Sequence, residues 1–563
     1  MGSTLDTFFE HYYRTRPVNA TFTGIHDYDN HLPDWSPAGL ERLAGEMVSL
    51  RQRLSPQVRD WDDLGHSAEH SDPATIDCSL ADAFLEIQIA EVAGTHFLRG
   101  NPALYTGEAV FSVVSLMLGN FAPAKERLEA IEHRLSAVPG FLADAKQTMG
   151  NLPIPTSWTT RAVDECSGTQ HLLGTGLERW CIHHGLDTNG NASLAAARQL
   201  AKAATEDFRH WLETRTVASD RQSGVGPDFF DLVLQRGHCD VRTRKDLLAE
   251  ARSRFEEAER TLEEESTSAD RNGWAGVSAR LAELHPEPAA YLDAFETCWN
   301  ECRSIALERE LVTWPDFPIG YIQTPDWARE AAPYLYFLNY RSPAPFDEFK
   351  KHQYLVPALD NSMSVEDQKK FLRGVNDSVI KLNHVVHHGA IGHHIQNYYA
   401  QRSESEIGKV SAVDCASRIG MFCGGSLAEG WACYATDLMG EVGFLTDFEL
   451  VAEQHSRLRQ LARAIVDIEL HQHSWTEEDA RQFYEERVGM SPGAAAKEVT
   501  RNSMFPGASI MYWLGTQGIH DLRRRLKEIE GPEFSLRAFH DKLLSYGSIP
   551  VLLIARLMAG SSQ

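Results

Sequence analysis

Residues 379–394 read VIKLNHVVHHGAIGHH and place four histidines within eight residues, as two adjacent pairs separated by a glycine-containing turn. Val379, Leu382 and Val386 recur at helical spacing, which predicts a helix that leads into the histidines. Neutral imidazole is the commonest protein ligand for zinc and other first-row divalent metals. The stretch therefore predicts a metal site carried by a helix.

The spacing leaves three histidine pairs open as chelating ligands: His387 with His394, His387 with His393, and His384 with His388. The first pair shares a helical face but lies about 10 Å apart along the axis of a straight helix. The second pair needs a bulge, which Gly389 and Gly392 make feasible. The third pair is spaced by four residues and can chelate without distortion. The local pattern does not choose among them.

A carboxylate follows the histidines at Glu429, thirty-five residues past His394, in the sequence Ala-Glu-Gly-Trp-Ala. Several helical zinc hydrolases complete their ligand set with such a downstream carboxylate. A second interpretation is a helix-capping box that begins at Ser426, in which Glu429 would bond the backbone amide of that serine. Together with the upstream histidines, the pattern favours metal ligation.

Further candidates lie closer to the C-terminus. Asp467 and His471 are four residues apart, where a carboxylate can orient an imidazole beside a metal, or can form an ordinary surface pair. The guanidinium fork of Arg501 can bind a substrate carboxylate. The hydroxyl of Tyr512 can donate to a developing oxyanion. These residues predict a substrate-binding wall next to the metal.

Helical patterns dominate the rest of the chain. Apolar residues recur every three or four positions in several segments, among them the run Leu458, Leu461, Ile465 and Ile468. Thr446 and Glu449 form a capping-box pattern, and Asn191 is a typical helix N-cap. Strand patterns are scarce, with residues 319–322 as one short candidate. The sequence predicts a mainly α fold.

The predicted domain organisation is one large multi-helix body that spans residues 1–563. No segment has the length and composition of an interdomain linker, and there is no internal repeat. Within this body we expect two lobes around a cleft, an N-terminal lobe of residues 1–310 and a metal-bearing lobe of residues 311–563.

The amino-acid composition indicates which classes of binding partner and which cellular location to expect. A net charge of −25 disfavours nucleic acid and anionic membrane surfaces as partners. No apolar run is long enough to span a membrane, and the first residues lack the pattern of a signal peptide. The nine cysteines are scattered without a Cys-x-x-Cys motif, which is typical of reduced thiols. We expect a cytoplasmic protein, and the sequence does not predict its oligomeric state.

The chain resembles a known family at the same residues, the bacterial domain-of-unknown-function family numbered 885, which looks similar to helical zinc metallopeptidases. The family's hallmark His-Glu-x-x-Pro-Gly-His-His-Leu-Gln corresponds to residues 387–396, HHGAIGHHIQ. The hallmark Glu-Gly-Trp-Ala corresponds to residues 429–432, and the segment AIVDIELH at 464–471 resembles a third. Matches extend from the opening PVNAT at 17–21 to GSIP at 547–550.

The resemblance implies a zinc-metallopeptidase-like α-helical fold, a divalent metal and a hydrolase acting on a small amide or short peptide. By position, His387, His393 and Glu429 would be ligands, with His394 close by. The supporting residues would be Asp467, His471 and Glu498. Zinc is the expected ion, with iron, manganese and copper as alternatives.

The chain departs from the family at two positions, His388 for the motif Glu and Ile391 for the motif Pro. In a zinc hydrolase that Glu takes the proton of the metal-bound water. His388 is therefore predicted to be a replacement base or an extra ligand, or it marks other metal chemistry. The last case would make the chain a lyase or an oxygen-using oxidase in a biosynthetic pathway. A pseudoenzyme that keeps the scaffold is a further alternative.

Overall fold

The structure of the protein is a computed structural model, and it describes residues 4–64, 72–187, 191–218, 223–335, 339–348, 351–360, 362–413 and 417–560. Within these residues the fold is mainly α, with one pair of short strands. The predicted fold class is thereby confirmed.

The α-helices of the first half follow one another closely along the chain. Their bounds are α1 Thr4–Thr15, α2 Pro17–Thr23, α3 Pro37–Leu54, α4 Pro73–Ala93, α5 Pro102–Leu118, α6 Ala124–Met149, α7 Thr156–His171, α8 Leu177–His183, α9 Ala192–Glu213, α10 Pro227–Leu232, α11 Arg244–Ala269, α12 Gly273–Glu283 and α13 Tyr291–Glu308.

The second half contains the two strands and the remaining α-helices. Strands β1 (Ile319–Gln323) and β2 (His352–Val356) pair in parallel, with Ile319 opposite His352. The helices are α14 Asp326–Arg329, α15 Val365–Gly374, α16 Asp377–Val379, α17 His393–Ala400, α18 Glu406–Val410, α19 Gly425–Glu441, α20 Asp447–His471, α21 Glu477–Val488, α22 Pro492–Met504, α23 Met511–Glu530, α24 Leu536–Ser545 and α25 Val551–Gly560.

Shorter helical turns of other types interrupt this series. Wider π-helical turns occupy Leu172–Gly176, Val233–Gly237, Ile380–Gly389 and Gly420–Gly424. Tighter 3₁₀ turns occupy Ser55–Gln57, Pro288–Ala290, Ala332–Tyr334 and Gly531–Glu533. π-Helical turns often lie at functional sites. The segment Ile380–Gly389 contains the predicted ligand His387, and Gly420–Gly424 directly precedes the helix of Glu429.

Several local signals in the sequence have the expected structural result. Thr446 and Glu449 form the capping box at the start of α20, and the Asn191 side chain caps α9. The predicted strand at 319–322 is part of β1. The apolar stripe of α20 is buried against α11 and the helices that follow. These short-range patterns depend on residues three or four apart and need no tertiary information.

Helices α19 and α23 approach each other closely through two glycines. A side chain at Gly430 would overlap the backbone of Gly515, and a side chain at Gly515 would overlap the carbonyl of Ser426. This close contact fixes the helix that carries Glu429 against the helix that carries Tyr512. The predicted ligand Glu429 and the predicted substrate-binding residue Tyr512 therefore lie on two helices that are packed tightly against each other.

A cavity of about 920 Å³ lies between the two halves of the chain. Arg16, Glu108 and Glu165 line it from the first half, and His387 and Glu429 line it from the second. The largest buried apolar cluster also draws on both halves, so the division into lobes at residue 310 stays a prediction. Among the described residues, no helix has the length and apolarity needed to cross a membrane.

Candidate metal centre

The segment between His387 and His393 is a break between two helices. A π-helical segment ends at Gly389, the chain turns over Ala390–Gly392, and α17 begins at His393. In the turn, the amide of Ala390 donates to the carbonyl of Val385. The break turns α17 back towards His387, and the two imidazole rings lie 4.9 Å apart between centroids. The pair that needed a bulge is therefore the pair that the structure brings together.

Two indole groups donate to backbone carbonyls of the break; the carbonyl of Gly392 also accepts the α17 amide of Gln396. The indole nitrogen of Trp431 donates to the carbonyls of Ile391 and Gly392 at 2.8 and 3.2 Å. The indole of Trp299 donates to the carbonyl of Gly389 at 2.8 Å. Buried carbonyls without a donor cost free energy, so these bonds stabilise the turn. Trp431 of the Glu-Gly-Trp-Ala motif thus ties the Glu429 helix to the histidine segment.

Gly392 is required by the close approach of this turn to the preceding helix. A Cβ atom at Gly392 would overlap the carbonyl of His387. We expect Gly392→Ala to lower the free energy of unfolding by about 1–3 kcal/mol, as overpacking typically does, and to weaken zinc binding because His387 must shift. Urea unfolding and zinc titration measure the two effects.

The matched control is Gly374→Ala at the end of α15, where an added Cβ meets no atom within 4 Å. We expect this variant to keep its zinc affinity and its stability to within about 1 kcal/mol. Equal zinc affinity in the Gly392 and Gly374 variants would contradict the role of the turn.

Three imidazoles and one carboxylate meet at the break. The nearest ligand atoms of His387, His388 and His393 all lie within 4.8 Å of one another. An Oε2 atom of Glu429 lies 3.5 Å from Nε2 of His387 and 3.6 Å from Nε2 of His393. That oxygen is buried and has no hydrogen-bond partner among the described residues. The three imidazoles can hold a single cation, and the Glu429 oxygen lies beside two of them.

Burial controls the charge of these groups. Burial, together with the neighbouring His393, lowers the pKa of His387, although Glu429 raises it. Burial and the rings of His387 and His393 hold the pKa of His388 well below its ordinary value. Burial alone would raise the pKa of Glu429, but the two facing imidazoles hold it well below its usual range. At neutral pH His387 and His388 are therefore neutral and Glu429 is ionised, which are the forms that bind metals.

Glu429 is not part of a capping box, so that interpretation of the Ser426 motif is wrong. The π-helical turn Gly420–Gly424 runs directly into α19, and no side chain caps the start of α19. The hydroxyl of Ser426 instead accepts the backbone amide of Val551 at 3.2 Å. Because helical backbone continues through residue 425, Ser426 has no exposed helix start to cap.

Two histidines of the sequence segment lie outside the group. Nε2 of His394 donates to the carbonyl of Phe317 at 2.7 Å, and the ring is fully buried. Nδ1 of His384 pairs with the hydroxyl of Tyr354 at 2.7 Å. The expectation that His394 is a ligand is therefore corrected: it lies about 100° around α17 from His393, and its bond to Phe317 connects α17 to the segment before β1.

Asp467 and His471 also lie apart from the metal centre, which corrects their expected supporting role. Asp467 accepts the backbone amides of Gly507, Ser509 and Ile510 at 3.1, 3.0 and 2.9 Å. Nε2 of His471 donates to the carbonyl of Asn502 at 3.0 Å. Both residues hold the turn between α22 and α23, and so they position Arg501 and Tyr512 indirectly.

Arg501 and Tyr512 line the same cavity as His387 and Glu429. The Arg501 guanidinium donates to the Tyr512 hydroxyl at 2.9 Å. Glu498 accepts two bonds from Arg463, at 2.8 and 2.9 Å. Burial alone would raise the pKa of Glu498, but the charges of Arg463 and Arg501 lower it to about 2. Glu498 therefore supports the cavity wall through Arg463, not through a metal ligand.

Sequence reasoning did not single out Arg459 and Arg463 of α20, or Trp299. Both arginines line the cavity. The sequence did contain a signal for the two arginines. They are like charges four residues apart on one helix, an arrangement that destabilises the helix, so its presence indicates a role other than stability. Trp299 gave no signal, since only the tertiary structure shows that its indole reaches the break.

Comparison with known proteins gives a family and a fold. The family model described as "Bacterial protein of unknown function (DUF885)" matches residues 17–558. No curated protein matches the sequence significantly. A structure described as a "putative lipoprotein of unknown function" from Shewanella oneidensis is 21% identical, with a TM-score of 0.76 over 99% of each chain.

A second structure, described as a "putative lipoprotein" from Colwellia psychrerythraea, is 16% identical, with a TM-score of 0.76 over 100% of this chain and 99% of the other. At these identities the likeness concerns the fold alone. The family model, by contrast, covers nearly the entire sequence. The chain therefore belongs to the DUF885 family of bacterial proteins.

Proposed function

We propose that the chain is a metal-dependent hydrolase that acts on a small amide or short peptide. Its divalent ion, zinc in the first place, would be held by His387, His393 and Glu429. The observation that carries the proposal is the buried Oε2 atom of Glu429, which lies beside two imidazole nitrogens and has no hydrogen-bond partner among the described residues. A cation would satisfy this oxygen.

The distances fit ligation better than hydrogen bonding. A charge-assisted bond from a ring nitrogen to a carboxylate is about 2.7–2.9 Å long. Two ligands of a tetrahedral zinc, each about 2.1 Å from the ion, lie about 3.4 Å from each other. The observed 3.5 and 3.6 Å are close to the second value.

His388 is oriented to serve the same centre. Its Nδ1 donates to the carbonyl of Asn383 at 2.6 Å, which leaves Nε2 with a lone pair. Outer hydrogen bonds of this kind fix the tautomer of histidines at metal sites. A bound divalent ion would polarise an amide carbonyl and activate water. His388 would then accept the proton, and Arg501 and Tyr512 would contact the substrate in the cavity.

The third imidazole favours a second candidate, a non-hydrolytic metalloenzyme such as a lyase or an oxygen-using oxidase. His388 occupies the place of the family's Glu and lies within reach of the ion's other ligands. An additional nitrogen ligand suits iron or copper as well as zinc.

Element analysis of the purified chain tests the proposal. We expect about one divalent ion per chain and a lower Tm after dialysis against a chelator, because a ligand that binds only the folded state stabilises it. Zinc together with amide hydrolysis would support the hydrolase. Iron or copper with oxygen consumption would support the second candidate. A metal-free chain with an unchanged Tm would contradict both and indicate a pseudoenzyme.

The cellular location of the protein is tested separately, by fractionation of its host. The eight cysteines among the described residues are all free thiols and all buried. We propose a cytoplasmic protein. Because the two similar structures are described as lipoproteins, recovery of the native chain in the membrane fraction of its host would contradict the cytoplasmic prediction.

A further inference from the structure

Three arginines form one wall of the cavity beside the candidate metal centre. Arg459 and Arg463 come from α20, one turn apart, and Arg501 comes from α22. Glu498 forms ion pairs with Arg463 at 2.8 Å and with Arg501 at 3.7 Å. We call Arg459, Arg463 and Arg501 the arginine group.

Arg459 differs from its neighbours because it forms no direct ion pair among the described residues. Its Nε atom is buried without a hydrogen-bond partner. Burial and repulsion from Arg463 lower the pKa of the guanidinium, and the more distant charge of Glu498 offsets this only in part. Transferring a cation without a partner out of water costs desolvation free energy and lowers the stability of the fold. An arginine in this situation therefore indicates a role in binding and not in folding.

The aromatic ring of Tyr512 packs against two members of the arginine group. The Arg463 guanidinium lies 4.6 Å from the ring centroid and that of Arg501 lies 5.5 Å from it. Arg501 also donates to the hydroxyl. These contacts hold the guanidinium planes in place, and a fixed fork binds a planar carboxylate with two parallel hydrogen bonds.

The arginine group is close to the candidate metal centre. All three arginines line the same cavity as His387 and Glu429. Cys433, one turn after Glu429 on α19, lines this cavity as well. A short molecule in the cavity can therefore contact both the arginine group and the metal centre.

We propose that the arginine group binds a carboxylate of the substrate, with Arg459 as the residue left unpaired for it. This inference deepens the proposed function by naming its substrate class, small amides or peptides with a free carboxylate. The cavity is large enough for a molecule of this size, since ligand pockets typically span about 300–1,000 Å³.

The first test uses stability. Arg459→Met removes a partly buried cation that forms no ion pair among the described residues, so we expect its Tm to equal or exceed that of the unchanged chain. A structural arginine would give the opposite result, because its loss would leave partners unpaired. A clear fall in Tm without any ligand would contradict the assignment.

The second test uses binding. N-acetyl-alanyl-alanine and N-acetyl-alanyl-phenylalanine are titrated by calorimetry, each as the free acid and as the C-terminal amide. For the unchanged chain we expect the acids to bind at least tenfold more tightly than the amides, as expected for a charged hydrogen-bonded pair. Arg459→Met should abolish this preference, and Arg459→Lys should retain part of it as a point charge without the fork.

The control is Arg481→Gln on α21, where the arginine pairs with Glu478 and Glu485 and is not part of the cavity wall. Every titration is run on zinc-free and zinc-loaded chain. A preference for acids that persists without zinc supports the carboxylate site even if the metal proposal fails. Equal binding of acid and amide, no binding of either acid, or an unchanged preference in Arg459→Met would overturn it.

Discussion

Glu429→Gln is expected to lower the zinc affinity of the chain by more than roughly a hundredfold, since loss of an outer partner of a ligand alone costs about 10–100-fold. The amide retains the size of the side chain but not its charge. The oxygen that faces His387 and His393 would become neutral. Hydrolysis at limiting zinc should fall in the same proportion. Zinc titration with a competing chelator measures the affinity, and the zinc-induced rise in Tm gives an independent value.

Glu441→Gln is the matched control, because Glu441 ends the same helix and pairs with Arg523 at the surface. We expect this variant to bind zinc as the unchanged chain does. If Glu429→Gln and Glu441→Gln bind zinc equally well, Glu429 is not a ligand and the proposed centre is wrong.

His388→Glu is expected to raise the rate of amide hydrolysis by up to about 10²–10⁴-fold, the range that a general base contributes relative to none. The change restores the carboxylate that the family motif carries at this position. Burial and the adjacent imidazoles hold the pKa of His388 well below its ordinary value, so the imidazole is a weak base. The rate is measured on zinc-loaded chain with the N-acetyl dipeptide free acids as substrates.

His388→Gln is the control for His388→Glu. It removes the imidazole without adding a carboxylate, so it shows whether any gain in rate comes from the new carboxylate or from the loss of the imidazole. We expect it to hydrolyse no faster than the unchanged chain. If His388→Glu also gives no increase while the unchanged chain binds iron or copper, the hydrolase is contradicted and the second candidate is favoured.

The helical fold was predictable because its signals are local. Capping at Thr446 and Asn191 and the apolar stripe of α20 involve residues three or four apart, and all appear as expected. The same local rule failed at Ser426. A capping box requires an exposed helix start, and the preceding π-helical turn removes it. Sequence spacing alone cannot show that a helix continues upstream.

The sequence located the segment that carries the candidate site but did not identify the pair of histidines that would bind the metal. The glycines indicated that the helix can break, but three histidine pairs remained open. The structure selects His387 and His393 because Trp431 and Trp299 satisfy the carbonyls of the turn from distant helices. His394, one residue further, turns to Phe317 instead. Adjacent residues on a helix point in different directions, so their roles depend on what surrounds the helix.

The sequence by itself determined the helical class, the family and the residue types that can bind a metal, because periodicity and motifs are properties of neighbouring positions. Only the tertiary structure decided which imidazoles meet Glu429 and which supporting residues lie elsewhere. It also placed Arg459 in the cavity wall without a partner. Distances between separate helices depend on packing, as at the glycine contact of α19 with α23, and no local pattern encodes them.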